Sequence, residues 1–223
     1  MALSEKTLEI NICSQLAEHI LGKYGLRVFW YGLTQAEEAK RGYDTSFKLG
    51  ALQVVFQFKA PKSLLTRTSY VRTSKVPMNA GAYVYDVPHA QMQTLLGHVA
   101  LNPQIGGFYC FPTVFNVPPS NFMLDKALLV GLGGLIGLPP SSRSHGDHRA
   151  YVYPAGAGVG TAWFCSDPLK LSASNIVDVV NGLIEQWRRD DFRPSLNEKR
   201  PFRADDEASW GGVVMSILPP GAA

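Results

Sequence analysis

A chain of 223 residues, 46% of them hydrophobic, can bury one good-sized core, and one domain is expected rather than two. The formal net charge of +3 is too mild to name a partner by its sum, and three scattered cysteines, Cys13, Cys110 and Cys165, form neither a zinc-ligand pattern nor a disulfide framework. The longest apolar stretch, 127–138, is broken by glycines and too short to span a bilayer, and the first residues lack the layout of a signal peptide, so a cytoplasmic protein with no membrane association is expected.

The first predicted element is a helix over about residues 4–23. Ser4 and Thr7 offer capping side chains, Gly22 and Gly25 supply the stop, and Leu8, Ile12, Leu16 and Ile20 recur every four residues as a buried stripe. Glu9 falls inside that stripe, whereas Glu18 projects to nearly the opposite side. An acid on an apolar face is costly unless it is paired or bound to metal. Residues 26–33 read as the first strand. Residues 34–41 are polar, a good solvated helical turn, and bring Glu37 and Glu38 close before Asp44.

Two short strands follow, joined by a tight connection at Gly50, and the second is a run of β-branched and aromatic residues ending in Gln57-Phe58-Lys59. Strand side chains alternate, so Gln57 and Lys59 point to one face, and pairing of the strands brings Asp44 beside them. An Asp and a second oxygen ligand suit a hard divalent cation, and a nearby lysine suits an attacking water or a scissile phosphate. An exposed Asp in a turn with a Lys at a strand end has the same spacing. From Thr45 to Tyr85 there is no Asp or Glu, while Lys48, Lys59, Lys62, Arg67, Arg72 and Lys75 all fall there. That distribution suits a polyphosphate partner, or a solvated basic face.

Beyond Lys59, residues 60–81 form a polar connection, 82–87 a strand, 89–101 a helix with Met92, Leu95, Leu96 and Val99 inward, and 107–111 a strand ended by Pro112. Residues 147–153 and 163–168 look like a later hairpin. Residues 172–189 form an amphipathic helix with Ile176, Val179, Val180, Leu183, Ile184 and Trp187 at helical spacing, expected to pack on the core, with a homodimer or partner interface as the alternative. One domain over 1–190 and a loosely ordered tail over 191–223 are expected, with 213–218 as a short strand or partner-binding segment.

Gly42-Tyr43-Asp44 followed by Gln57-Phe58-Lys59 resembles the PD-(D/E)XK superfamily of restriction-endonuclease-like nucleases, where an Asp near a strand start precedes an acidic-x-Lys tripeptide ending the next strand. Gln57 stands where Glu is usual, a variation that occurs within the superfamily; its amide oxygen can ligate a metal but brings no charge. Gln91 and Gln93 on a helix, then Tyr109 to Phe115 around Pro112, add to the likeness, which covers roughly residues 5–170.

The resemblance implies an α/β fold whose core, about residues 4–116, runs helix, three strands, helix, strand, with a mixed central sheet flanked by helices and an extension over 117–190. It implies a Mg²⁺- or Mn²⁺-dependent endonuclease acting on nucleic acid, with DNA favoured over RNA, and is consistent with defence against phage DNA. Asp44, Gln57 and the Phe58 carbonyl would hold the metal, Glu9 or Glu38 would complete its shell, and Lys59 would orient the water. Lys62, Arg67, Arg72 and Lys75 would contact the nucleic acid. The alternative is a catalytically inactive module of the same fold that binds nucleic acid or a protein partner.

Other constellations are weaker. The glycines from Gly131 to Gly137 miss the dinucleotide fingerprint and lack a following Lys-Ser or Lys-Thr. His145, Asp147 and His148 have no fourth ligand at zinc-like spacing. Cys165 with His148 could form a thiol nucleophile and base, but neither lies in a recognisable nucleophile context.

Overall fold

The computed structural model describes residues 3–70, 77–102, 104–118, 120–154, 159–165 and 168–189. The expected tail over 191–223, including 213–218, therefore lies outside the described residues, as do Arg72 and Lys75.

Helix α1 (Glu5–Tyr24) starts where Ser4 accepts a hydrogen bond from the Thr7 N–H and stops at Gly25 in a left-handed conformation. Its stripe of Leu8, Ile12, Leu16 and Ile20 is fully buried, each side chain worth about 1.5–3 kcal/mol relative to exposure. The expected first strand over 26–33 shrinks to β1 (Tyr31–Gly32), which pairs antiparallel with the later β2. Its side chains suit a strand, but only these two of the expected residues enter a ladder, with the Leu33 N–H donating to the Asp44 carbonyl at 3.1 Å just beyond it.

Helix α2 (Gln35–Arg41) begins with a Thr34–Glu37 capping box and ends at Gly42. Strands β2 (Thr45–Leu49) and β3 (Leu52–Phe58) then form the expected hairpin, with Leu49 opposite Leu52. Gly50, at φ 60°, takes the first position of the two-residue loop, where positive φ is cheap only for glycine.

The connection after β3 carries the short strands β4 (Ser63–Leu64), β5 (Ser69–Tyr70) and β6 (Pro77–Met78) before β7 (Tyr83–Val87). Helix α3 (His89–Ala100) leads to β8 (Ile105–Pro112), which runs parallel to β3. Strand β9 (Ala127–Gly131) lies in the glycine-rich apolar stretch, where no strand was expected. The later hairpin is β10 (His148–Tyr153) with β11 (Gly160–Cys165), and β12 (Pro168–Asn175) pairs with both β11 and β9.

Helix α4 (Ile176–Arg189) starts four residues later than expected, because 172–175 belong to β12. Asn175 Oδ1 accepts the Val177 N–H at 2.8 Å and marks the new start. Ile176, Val180, Leu183 and Ile184 are buried in the core, as the spacing predicts.

The protein is mixed α/β. Among the described residues, ten strands make one mixed sheet in the order β1-β2-β3-β8-β9-β12-β11-β10-β7-β4. Alternation in β3 and β8 divides the core. Phe56, Phe58, Phe108 and Cys110 pack with α1 and α4; Val55, Tyr109 and Phe111 pack with Met92 and Leu95 of α3. Among the described residues, no helix is long and apolar enough to cross a membrane.

Candidate functional site

Asp44 sits where α2 hands over to β2, and Gly42 makes that junction possible. At φ 76° Gly42 packs so tightly on α3 that a Cβ there would lie 2.6 Å from the Leu95 amide nitrogen. The Asp44 N–H donates to the Phe56 carbonyl at 3.0 Å, which aligns its carboxylate with the end of β3. Gln57 Nε2 donates to Oδ1 and Oδ2 at 2.9 and 2.8 Å and to the Phe58 carbonyl at 3.1 Å. The Phe58 N–H donates to Oδ2 at 2.6 Å. Gln57 is fully buried and Asp44 6% exposed.

The register continues the row. Gln57 on β3 lies opposite Tyr109 on β8, so Asp44, Gln57 and Tyr109 share one sheet face. Two polar atoms in that row are buried without a hydrogen-bond partner, Gln57 Oε1 and the Tyr109 hydroxyl. Such orphans are uncommon in folded proteins and mark places where an ion, water or ligand completes the structure.

Lys59 follows β3 and is 7% exposed, a depth at which an ammonium needs a counter-charge. It finds Glu5, with Nζ 3.5 Å from Oε1, and Glu5 Oε2 also accepts the Ala60 N–H at 3.2 Å. Glu9 is buried, as its place in the stripe requires, and Lys6 grips both its oxygens at 3.0 and 2.8 Å. The helix acid in contact with Lys59 is thus Glu5, one turn before Glu9. Glu38 lies at the Asp44 carboxyl and shares a hydrogen bond with it.

Burial pushes the Asp44 carboxyl up from the ordinary 3.8 to about 8; Lys59 and the Phe58 N–H pull it down, while Glu5 and the hydrogen bond with Glu38 push it further up. Lys6 is raised above the usual lysine range by its bond to Glu9, with smaller contributions from Asp44 and Glu38. Burial therefore disfavours the ionised Asp44 more than Lys59 and the Phe58 N–H favour it. A bound cation reverses that balance by stabilising the ionised Asp44. The donor set fits a hard divalent ion: one carboxylate, one orphaned amide oxygen and one main-chain carbonyl.

Sequence reasoning missed Glu5, Lys6 and Tyr109. Glu5 and Lys6 occupy the first turn of α1, where an acid is ordinary dipole compensation, and only their contacts with the site distinguish them. Tyr109 enters through the parallel pairing of β3 with β8, which is not written locally. Lys62 and Arg67 are exposed on the connection after Lys59.

His148 is fully buried, with Nε2 2.9 Å from Nδ1 of His89, and burial and His89 push its imidazole down to about 4. Asp147 accepts the His89 N–H at 3.1 Å, and His145 is exposed. Cys13 and Cys110 are buried free thiols pushed above the usual range by burial, which suppresses the reactive thiolate.

Compared with known proteins, the chain matches no family model, and no curated protein aligns with it significantly.

Proposed function

We propose that this chain is a metal-dependent nuclease of the PD-(D/E)XK kind, hydrolysing phosphodiester bonds in nucleic acid, with DNA the favoured substrate. The observation that carries the reading is the buried row at the end of β3. There an Asp44 carboxyl raised to about 8 is held by the amide of Gln57, whose Oε1 is left orphaned, with the buried Lys59 two residues on. Support also comes from the order of elements: a helix, the β2–β3 hairpin, then α3 leading into a strand parallel to β3.

Asp44, Gln57 through Oε1 and the Phe58 carbonyl would hold Mg²⁺ or Mn²⁺, with Glu38 within reach of the same carboxylate. Such an ion would lower the pKa of a bound water and offset the negative charge on the phosphoryl oxygens in the transition state. Gln57 must turn its amide over to present Oε1, which releases its Nε2 from the Asp44 oxygens. A cation held there would favour the ionised form of Asp44, so binding would be coupled to pH. Lys59 donates a hydrogen bond to the attacking water or a phosphate oxygen and supplies positive charge where negative charge develops. Glu5 acts through Lys59, holding its ammonium in place.

A second reading has its own observation. In the orientation described, the Gln57 amide occupies both Asp44 oxygens, so the row is closed without an ion, as in a nuclease-fold module that binds nucleic acid or a protein and no longer cuts. Purified wild type and Asp44→Ala, incubated with plasmid, linear DNA and RNA in Mg²⁺, Mn²⁺ or chelator, separate the two. Metal-dependent cutting by wild type that disappears in Asp44→Ala is expected. Absence of cutting, with equal nucleic-acid binding by both proteins, would favour the inactive module.

A further inference from the structure

The extended segment before α2 divides its side chains by parity. Leu26, Val28 and Trp30 pack on the core beneath α1 and α4, and Trp30 lies edge-on to Phe47 at 5.0 Å. Phe29 and Tyr31 turn away. Phe29 is 71% exposed and Tyr31 42%, and neither packs into a core cluster. Their rings meet each other in an edge contact at 5.0 Å.

The sheet register places this pair beside the site. Tyr31 lies directly opposite Ser46, and directly paired residues point to the same face. Ser46 is two residues beyond Asp44 along the same strand, so Tyr31 and Asp44 share a face, about 8 Å apart across the sheet by strand spacing. Exposed Arg27 precedes the pair by two residues, and exposed Lys48 follows Ser46 by two on β2. Cations thus flank aromatics in one line leading to the carboxylate.

We infer that Phe29 and Tyr31 form a stacking platform for unpaired nucleobases, so that the strand offered to Asp44 is single-stranded, a frayed end or locally opened. This deepens the nuclease reading and rests on it for the role of Asp44. Every base has a π-face and stacks on an aromatic ring without regard to sequence, and basic side chains beside the rings track the backbone. In an intact duplex those faces are already covered by neighbouring bases. An edge strand is ordinarily guarded by charge or proline; here it presents two aromatics. The two cations beside them, Arg27 and Lys48, are complementary to a polyanion.

The test is anisotropy binding in chelator, where nothing is cut, using full-length wild type, Phe29→Ala/Tyr31→Ala and Phe29→Tyr/Tyr31→Phe. The probes are a labelled single strand, the duplex of the same sequence and a single strand carrying a run of abasic sites. Wild type is expected to bind the single strand at least about tenfold more tightly than the abasic strand, and the alanine pair to lose about 10- to 100-fold on the single strand alone. The aromatic swap should retain wild-type affinity, and duplex binding should be the same in all three. Equal binding of normal and abasic strands, or an alanine pair that binds the single strand like wild type, would overturn the proposal. So would a change in sedimentation showing that the pair joins two copies of the chain. Because no cleavage is read, a platform that stacks bases beside a site that does not cut would defeat the nuclease reading and leave this inference standing.

Discussion

Replacing Asp44 by Asn should make the protein more stable at neutral and alkaline pH while destroying its site. The unfolded chain releases the Asp44 proton near pH 4, whereas the folded protein holds it until about pH 8. The unfolded state therefore binds fewer protons across that interval, and this residue's contribution to stability falls as pH rises from about 4 to about 8. A rise from 3.8 to about 8, at about 1.4 kcal/mol per unit, caps the burden at about 6 kcal/mol.

The substitution recovers only part of this. The charge-assisted bond from the Phe58 N–H weakens, and the new amide forces Gln57 to turn over so that Oε1 accepts from it. A net gain of about 1–2 kcal/mol at pH 8 is expected, the range of a typical stabilising substitution, which for a chain of this size raises Tm by about 3–6 °C. Thermal melts in chelator at pH 4, 6 and 8 measure it, and the gap between variant and wild type should close toward pH 4. An Asp44→Asn protein less stable than wild type at pH 8, or a gap independent of pH, would refute the assignment of Asp44 as a strained, desolvated carboxylate.

Other outcomes follow from the same geometry. Lys59→Met keeps the buried volume and removes the ammonium; turnover should fall by about 100-fold or more, while nucleic-acid binding in chelator changes by less than about threefold, and equal losses in both would count against the role. Gly42→Ala places a Cβ against the Leu95 backbone at positive φ and should cost about 1–3 kcal/mol by thermal melting. Tyr109→Phe removes a buried hydroxyl that has no partner, so metal-free stability should hold or rise by about 1 kcal/mol; a clear loss would mean the hydroxyl is bonded.

The parts of the fold written in local spacing were legible. The stripe of Leu8, Ile12, Leu16 and Ile20 buries as drawn, Ser4 and Gly25 bound their helix, and Gly50 turns the hairpin that brings Asp44 to Gln57. What failed depends on pairing at a distance. Residues 26–33 have strand composition, yet only Tyr31 and Gly32 enter a ladder. Ala173 continues the apolar period of α4 backward, but β11 and β9 claim 172–175 for β12.

The site shows the same division. Asp44, Gln57 and Lys59 were found from a tripeptide and a turn. Glu9 was singled out because burial was visible in the helical period, whereas the contact that matters, Glu5 with Lys59, depends on how the helix start meets the end of β3. Tyr109 required knowing that β8 runs beside β3.

The most direct measurement is a calorimetric Mn²⁺ titration of wild type and Asp44→Asn across pH, run in buffers of different ionisation heat. The expected result is a wild-type site whose affinity climbs about tenfold per pH unit up to about pH 8 and then levels off, with about one proton released per ion bound below that point, and no such site in Asp44→Asn. Binding that survives the substitution, or that takes up no pH dependence between about 5 and 8, would contradict a cation site built on Asp44.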